Sequence, residues 1–90
     1  MANLHLILFK EWFYQILEGK KKIEYREIKP YWTKRLFNKD KTQKKFDEII
    51  FTNGYGLHRP RLHIEHLGTR KNDSKYEILL GKILKTININ

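Results

Sequence analysis

Cysteine is absent from this sequence, which excludes a disulfide framework, a thiolate metal site and a thiol nucleophile. Long hydrophobic runs are missing as well. The best apolar run lies near the N-terminus, in MANLHLILFKEW, and is too short for a signal-peptide core and far too short to span a membrane. We therefore expect a cytoplasmic protein that has no membrane partner.

Acidic residues are scarce relative to basic ones. Ten Asp and Glu face nineteen Lys and Arg, so the formal net charge is +9 and the sequence pI is about 9.9. Such a surplus favours polyanionic partners, although a basic pI can also serve solubility alone. A basic amphipathic helix, as membrane-surface binding needs, is not present. Nucleic acid is therefore a better candidate partner than a membrane. The chain has 90 residues, enough for one small domain spanning 1–90.

The first part of the chain reads as a strand followed by a helix. Leucines alternate with other residues over 4–8, as in a strand buried on at least one side. Gly19 then falls where a helix commonly ends in a left-handed residue. Between them lies one apolar helical face, which we predict to be core. Its members are Phe9, Trp12, Phe13, Ile16 and Leu17.

The segment from Gly19 to Trp32, GKKKIEYREIKPYW, alternates acids and bases where a strand is expected. In a strand over 22–28, Glu24 and Arg26 share one face and Ile23 and Tyr25 the other, so the apolar pair is predicted to enter the core. Lys21 lies in the preceding turn and can swing over the Glu24 face. Two readings follow from this spacing: a polar site that holds phosphate or a carbonyl, or a surface ladder of ion pairs.

The spacing Gly19-x-Lys21-x-x-Glu24-x-Arg26 resembles the GxKxxExR signature of the ASCH domain, a branch of the PUA-like superfamily. The order of elements over about residues 4–67 is similar to that of small stand-alone ASCH proteins of bacteria and phages. The resemblance implies an α+β fold: a PUA-like small β-barrel of about five strands, with two short helices inserted early in the chain. It favours the site over the ladder.

Further candidate residues flank the signature. A helix predicted over 30–37 puts Tyr31 and Arg35 on one side, where they can line a groove and stack a base. The sequence Asn53-Gly54-Tyr55-Gly56 predicts a turn, and the resemblance places this turn near the signature strand. Asn53 and Tyr55 are therefore added as nucleic-acid-binding candidates, although simple packing and an ordinary hairpin turn remain alternatives.

The second half of the chain predicts strands separated by polar segments. Residues 38–45 read as a mobile loop, 46–52 and 62–67 as strands, 68–75 as a polar turn, and the closing run YEILLGKILKTI as a strand with a bulge at Gly81. His63 and His66 face opposite ways on their strand, and Glu65 shares a side with His63 alone. Two such ligands make no metal site, so neither a metal nor another cofactor is expected.

Three functions are compatible with these features. The leading one is an RNA-interacting ASCH module, in which Lys21, Arg26 and Arg35 hold phosphates of a single strand or nucleotide and tyrosines stack the base. The second is a hydrolase of RNA or a modified nucleoside. Some ASCH relatives are acetylcytidine amidohydrolases with a lysine at the position of Lys21 and a threonine at that of Glu24. This chain lacks that hydroxyl, so Glu24 would act as general base with Lys21 at the oxyanion. The third is an adaptor for an acidic protein.

Overall fold

The computed structural model describes residues 2–56 and 58–89, which form five strands and two short helices. The predicted α+β class is confirmed at this level. In chain order, the elements are β1 (Asn3–Leu8), α1 (Lys10–Leu17), β2 (Ile23–Glu27), α2 (Pro30–Leu36), β3 (Glu48–Asn53), β4 (Arg61–Lys71) and β5 (Lys75–Ile87).

All five strands form one sheet in the order β1-β3-β4-β5-β2. β1 runs parallel to β3, and every other neighbouring pair is antiparallel. The sheet curls into a half-barrel, and β1 and β2 are its two edges. Both helices lie in the early part of the chain, on either side of β2 in sequence. A curled sheet brings its edges toward each other, so α1 and α2 cover the gap that remains between them.

The core fills the concave side of this sheet. On β1, leucines 4, 6 and 8 are buried and the residues between them are exposed, as the alternation predicted. On β3, Ile49 and Phe51 are completely buried and Ile50 is nearly so, which confirms that both faces of this strand are covered. α1 contributes Phe13 and Ile16, and α2 contributes Leu36. Burying these large apolar side chains is the main term that stabilises the fold.

β4 and β5 form a longer hairpin than the sequence indicated. The polar turn predicted over 68–75 is wrong, because β4 continues to Lys71 and only residues 72–74 turn. Thr69 is buried and pairs with Ile78, so this polar run still has an inward-facing member. The expected irregularity at Gly81 is present as a register shift between His66 and Ile64 of β4. A Cβ at Gly81 would lie 2.9 Å from the Cβ of Glu65, so only glycine fits there.

Two other sequence expectations need correction. Phe9 is 80 % and Trp12 is 40 % exposed, so only part of the apolar stripe around α1 is core. On β2, the predicted choice of buried face is inverted: Glu24 is 5 % exposed, whereas Tyr25 is 43 % exposed. The segment 38–45 is a loop, as predicted, and it contains a turn in which the amide of Asn38 donates to the carbonyl of Thr42 at 2.8 Å.

Candidate functional site

A cleft of about 950 Å³ opens in the gap between the edge strands β1 and β2. The helices α1 and α2 and the glycine turn after β3 complete its walls. Its lining joins four backbone neighbours on β1 to side chains from segments far apart in sequence. The lining residues are His5, Leu6, Ile7, Leu8, Phe9, Trp12, Lys21, Glu24, Tyr25, Arg26, Tyr31, Trp32, Arg35, Gly54 and Tyr55.

The C-terminal turn of α1 delivers Lys21 to this cleft. Gly19 takes a left-handed φ of +78°, and its amide donates to the carbonyl of Ile16 at 3.0 Å. The amides of Lys20 and Lys21 both donate to the carbonyl of Gln15, at 2.9 and 3.2 Å. This is a Schellman closure, which reverses the chain within two residues and satisfies the last helical carbonyls. Lys21 therefore leaves the helix with a fixed backbone direction.

Glu24 lies at the base of the cleft and binds two cations. The Lys21 Nζ is 3.2 Å from Glu24 Oε1, and the Arg26 Nη1 is 2.7 Å from Glu24 Oε2. The amide of Tyr25 also donates to Oε1, at 3.2 Å. Both carboxylate oxygens are thus occupied, and the Glu24 side chain is only 6 % exposed. A buried carboxylate is tolerated here because each oxygen has a charged donor.

The sheet explains why Glu24, and not Tyr25, points inward. Glu24 pairs with Ile78 and Arg26 pairs with Tyr76, and both partners on β5 are buried. Residues opposite each other on paired strands project to the same side of the sheet. The signature side chains therefore lie on the concave face, next to the core. Ion pairing with Lys21 and Arg26 offsets the cost of burying a carboxylate there.

Aromatic rings surround both cations. The Lys21 Nζ lies 5.1 Å from the ring centroid of Trp12 and 5.2 Å from that of Tyr25. The guanidinium carbon of Arg26 lies 5.1 Å from the Trp32 ring centroid. These distances are in the range of cation–π attraction. The rings restrict where each cation can move. Each cation is therefore held both by aromatic rings and by the Glu24 carboxylate.

Arg35 connects α2 to the edge of β1. Its Nη2 donates to the carbonyl of His5 at 2.9 Å, and its Nη1 donates to the Tyr31 hydroxyl at 3.3 Å. The same guanidinium lies 5.6 Å from the Tyr31 ring centroid and 5.2 Å from that of Trp32. The predicted pairing of Tyr31 and Arg35 on one helix side is present. Tyr31 keeps 61 % of its surface exposed, although its ring also packs against Trp32.

The glycine turn places its two candidates differently. Tyr55 stands at the rim of the cleft and is 84 % exposed. Asn53 ends β3, is 5 % exposed and does not line the cleft. Its carbonyl accepts a 2.6 Å hydrogen bond from the Arg59 Nε, which braces the turn from below. The structure therefore places Tyr55, but not Asn53, in the lining of the cleft.

Sequence reasoning missed several lining residues. The apolar stripe predicts Phe9 and Trp12 as core residues, and the spacing of apolar residues over 30–37 predicts Trp32 on the buried side of that helix. No sequence pattern marks the β1 edge residues His5 and Ile7. No local signal separates Phe9 and Trp12 from the rest of the stripe, because all five residues follow the spacing of a single apolar helical face. No local signal marks the β1 edge, because its proximity to β2 depends on the curl of the sheet.

Two of the four histidines, His63 and His66, have hydrogen-bonding partners within the sheet. His63 Nδ1 lies 2.9 Å from a Glu48 carboxylate oxygen, and His66 Nε2 lies 2.8 Å from the Thr69 hydroxyl. Burial lowers the pKa of His66 from its usual value of 6.5, because the charged ring loses hydration. Over residues 2–56 and 58–89, no three His, Asp or Glu side chains come together as metal ligands.

Comparison with known proteins leaves the site to be judged on its own geometry. No protein-family model, curated protein or solved structure matches this chain significantly. The ASCH resemblance thus depends on the signature residues and the order of elements. Neither helix in the described part of the chain is long and apolar enough to cross a membrane.

Proposed function

We propose that this chain is an RNA-interacting domain, related to ASCH proteins of the PUA-like superfamily, that binds single-stranded RNA or a nucleotide in the cleft between β1 and β2. The observation that carries the proposal is the fixed pair of cations over a buried carboxylate, at the base of a cleft with exposed aromatic rings. Cations that hold phosphate and rings that stack bases are the two elements of single-strand recognition.

The charge balance of the cleft supports an anionic ligand. Lys21, Arg26 and Arg35 are the cations that line it, and Glu24 is its one carboxylate among the described lining residues, which leaves two positive charges. Glu24 orients Lys21 and Arg26 without cancelling them both. Because the ammonium and guanidinium groups are already held, binding costs less side-chain entropy than with free surface lysines.

Two tyrosines offer stacking surfaces beside these charges. Tyr31 and Tyr55 are the most exposed rings among the described cleft residues apart from Phe9. Base–aromatic stacking contributes about 1–3 kcal/mol per base and tolerates any base. We therefore expect sequence preference to be weak and affinity to come from phosphate contacts and stacking together.

The test is fluorescence anisotropy with a labelled single-stranded RNA oligomer at several salt concentrations. Lys21→Ala and Tyr55→Ala should each weaken binding, by about fivefold or more, if a phosphate contact or one stacking contact is lost. Lys20→Ala is the matched control, because this neighbouring lysine has a side chain that is 69 % exposed and does not line the cleft. Log affinity should fall with log salt by roughly 0.7 per phosphate contacted. Absence of binding at low salt, or binding that ignores salt, would refute the proposal.

A hydrolase is the second candidate, favoured by the 3.2 Å contact between an ammonium and a carboxylate inside the cleft. Glu24 would take a proton from water, and the resulting hydroxide would add to the substrate carbonyl carbon. Lys21 would stabilise the oxyanion, and the proton would pass to the leaving amine as the C–N bond breaks. For acetylcytidine, the products would be cytidine and acetate.

Two substitutions separate binder from hydrolase. In a binder, Lys21→Ala weakens RNA affinity, whereas Glu24→Gln retains both cations and changes affinity mildly. In a hydrolase, either substitution abolishes turnover of acetylcytidine or labelled RNA. Both variants are assayed at a temperature where circular dichroism shows them folded. Wild-type protein that turns over neither substrate while it binds RNA excludes the hydrolase for these substrates.

A further inference from the structure

A second cavity, of about 960 Å³, lies on the other side of α2 from the cleft. Five lysines line it, and no Asp or Glu appears among its described lining residues. We call it the lysine pocket, and its lining residues are Thr33, Lys34, Phe37, Asn38, Lys39, Lys41, Lys44, Lys71 and Tyr76.

The lysine pocket is a built concavity with a fixed floor. The rings of Phe37 and Tyr76 pack with centroids 5.1 Å apart, and the Tyr76 hydroxyl lies 2.5 Å from the Thr33 hydroxyl. The amide of Lys44 donates to the carbonyl of Leu36 at 2.9 Å, which ties the lysine-rich turn, residues 38–45, to the end of α2. The turn therefore presents its side chains around this floor.

The lysines of this pocket have no acidic partners within the described residues. The Lys and Arg side chains that form ion pairs in the described part of the chain lie outside this pocket. They are Lys20, Lys21, Arg26, Lys29 and Arg70. Asp40 is the nearest acid in sequence, and its carboxylate accepts hydrogen bonds from the amide and hydroxyl of Thr42. These hydrogen bonds lower the pKa of Asp40 and hold its charge at the tip of the turn. A surplus of about four positive charges is left to meet an anion from solution.

The helix α2 is shared by both cavities. Tyr31, Trp32 and Arg35 line the cleft, whereas Thr33 and Lys34 line the lysine pocket, and the two linings have no residue in common. A helix is about 10–12 Å across with its side chains. Phosphates of one strand in a duplex are spaced about 3.4 Å apart along the axis, so a stacked strand crosses α2 in roughly three or four nucleotides.

We propose that the lysine pocket binds the phosphates of an RNA strand that also places a nucleotide, roughly three or four positions away along the strand, in the cleft. This inference rests on the proposed function and makes it more specific: the ligand is a strand of about six nucleotides or more that crosses α2, and a free nucleotide fills only the cleft. RNA is favoured over an acidic protein because five lysines and no described acid line this pocket, while the cleft on the other side of α2 has exposed tyrosines that can stack bases.

The experiment compares RNA lengths on two triple variants. The ligands are a mononucleotide, a trimer and a nonamer, measured by anisotropy competition at several salt concentrations. The test variant carries Lys39→Gln, Lys44→Gln and Lys71→Gln. The control carries Lys20→Gln, Lys82→Gln and Lys85→Gln, which remove equal charge at exposed positions outside both cavities.

The test variant should lose about tenfold or more in nonamer affinity, and its salt slope should fall by about two. Its affinity for the mononucleotide and the trimer should stay within about twofold of wild type, because the cleft is untouched. The control should lose less than about threefold for every ligand, since it changes only the overall charge.

The outcomes separate the two proposals. Equal losses in both triple variants, or a nonamer that binds no tighter than the trimer, overturn the lysine pocket while the cleft still binds its nucleotide. Displacement of the nonamer by poly-glutamate at equal charge concentration also overturns it, because simple polyanion attraction then suffices. Failure of all three RNA ligands to bind wild-type protein overturns the proposed function, and the lysine pocket with it.

Discussion

Replacing Glu24 by glutamine tests whether the buried carboxylate organises the cleft. The substitution keeps side-chain size and removes the charge that lies 3.2 Å from the Lys21 Nζ and 2.7 Å from the Arg26 Nη1. Removing one partner of a buried pair costs about 3–5 kcal/mol, because the remaining charges stay buried and unpaired. The side chains of Lys21 and Arg26 retain 15 % and 17 % exposure, so both heads can gain some hydration. We therefore expect a loss of about 2–4 kcal/mol in the free energy of unfolding.

Urea denaturation followed by circular dichroism measures this loss, and thermal melting gives a second reading. For a domain of this size, each kcal/mol lowers Tm by roughly 4–8 °C, so the Glu24→Gln variant should melt at least about 8 °C below wild type. Glu27→Gln is the control on the same strand. Glu27 pairs with Lys29 at 2.9 Å, but both side chains are about 60 % exposed, so this substitution should cost far less stability than Glu24→Gln.

A double-mutant cycle locates the effect. If Glu24 and Lys21 interact as the distances indicate, the two substitutions are not additive. The double variant Lys21→Met/Glu24→Gln should lose less stability than the sum of the two single losses, by about 1 kcal/mol or more. Strict additivity, or a Glu24→Gln loss as small as that of Glu27→Gln, would refute the reasoning. It would mean that the carboxylate is hydrated in solution and that the cations are not held over it.

Two further predictions concern stability. Gly19→Ala should cost about 1–2 kcal/mol in urea denaturation, because φ is +78° there while a Cβ would meet nothing within 4 Å; an unchanged midpoint would contradict the Schellman closure. For His66, burial lowers the folded-state pKa, so the unfolded state binds more protons and stability should fall as pH drops below about 6.5. His66→Gln should flatten this part of the pH profile, and an unchanged slope in this variant would contradict the reasoning.

Sequence reasoning succeeds where a local pattern decides the structure. Alternating leucines specify β1, and the residue spacing in the second helix puts Tyr31 and Arg35 side by side. Gly19 is recognisable as a helix end because only glycine adopts a left-handed φ without strain. The grouping of Lys21, Glu24 and Arg26 follows from a period of two plus a turn. These features need no knowledge of distant parts of the chain.

The failures occur where distant contacts decide. A period of two says which side chains share a face of β2 but not which face is buried. Hydrophobicity favoured burying Ile23 and Tyr25, whereas pairing with β5 turns Glu24 toward the core. The length of β4 was underestimated for the same reason, because Thr69 is buried through its pairing with Ile78. Similarly, the sequence does not show that the amide of Lys44 ties the loop 38–45 to the end of α2.

The hydrogen bond from Arg35 to the carbonyl of His5 has a consequence for self-association. An open edge strand offers unpaired backbone groups to which another polypeptide can add. Arg35 occupies one such group on β1 and places a positive charge beside the edge. A second copy of this chain, itself carrying a formal charge of +9, would have to displace that guanidinium against charge repulsion before its own strand could add to β1.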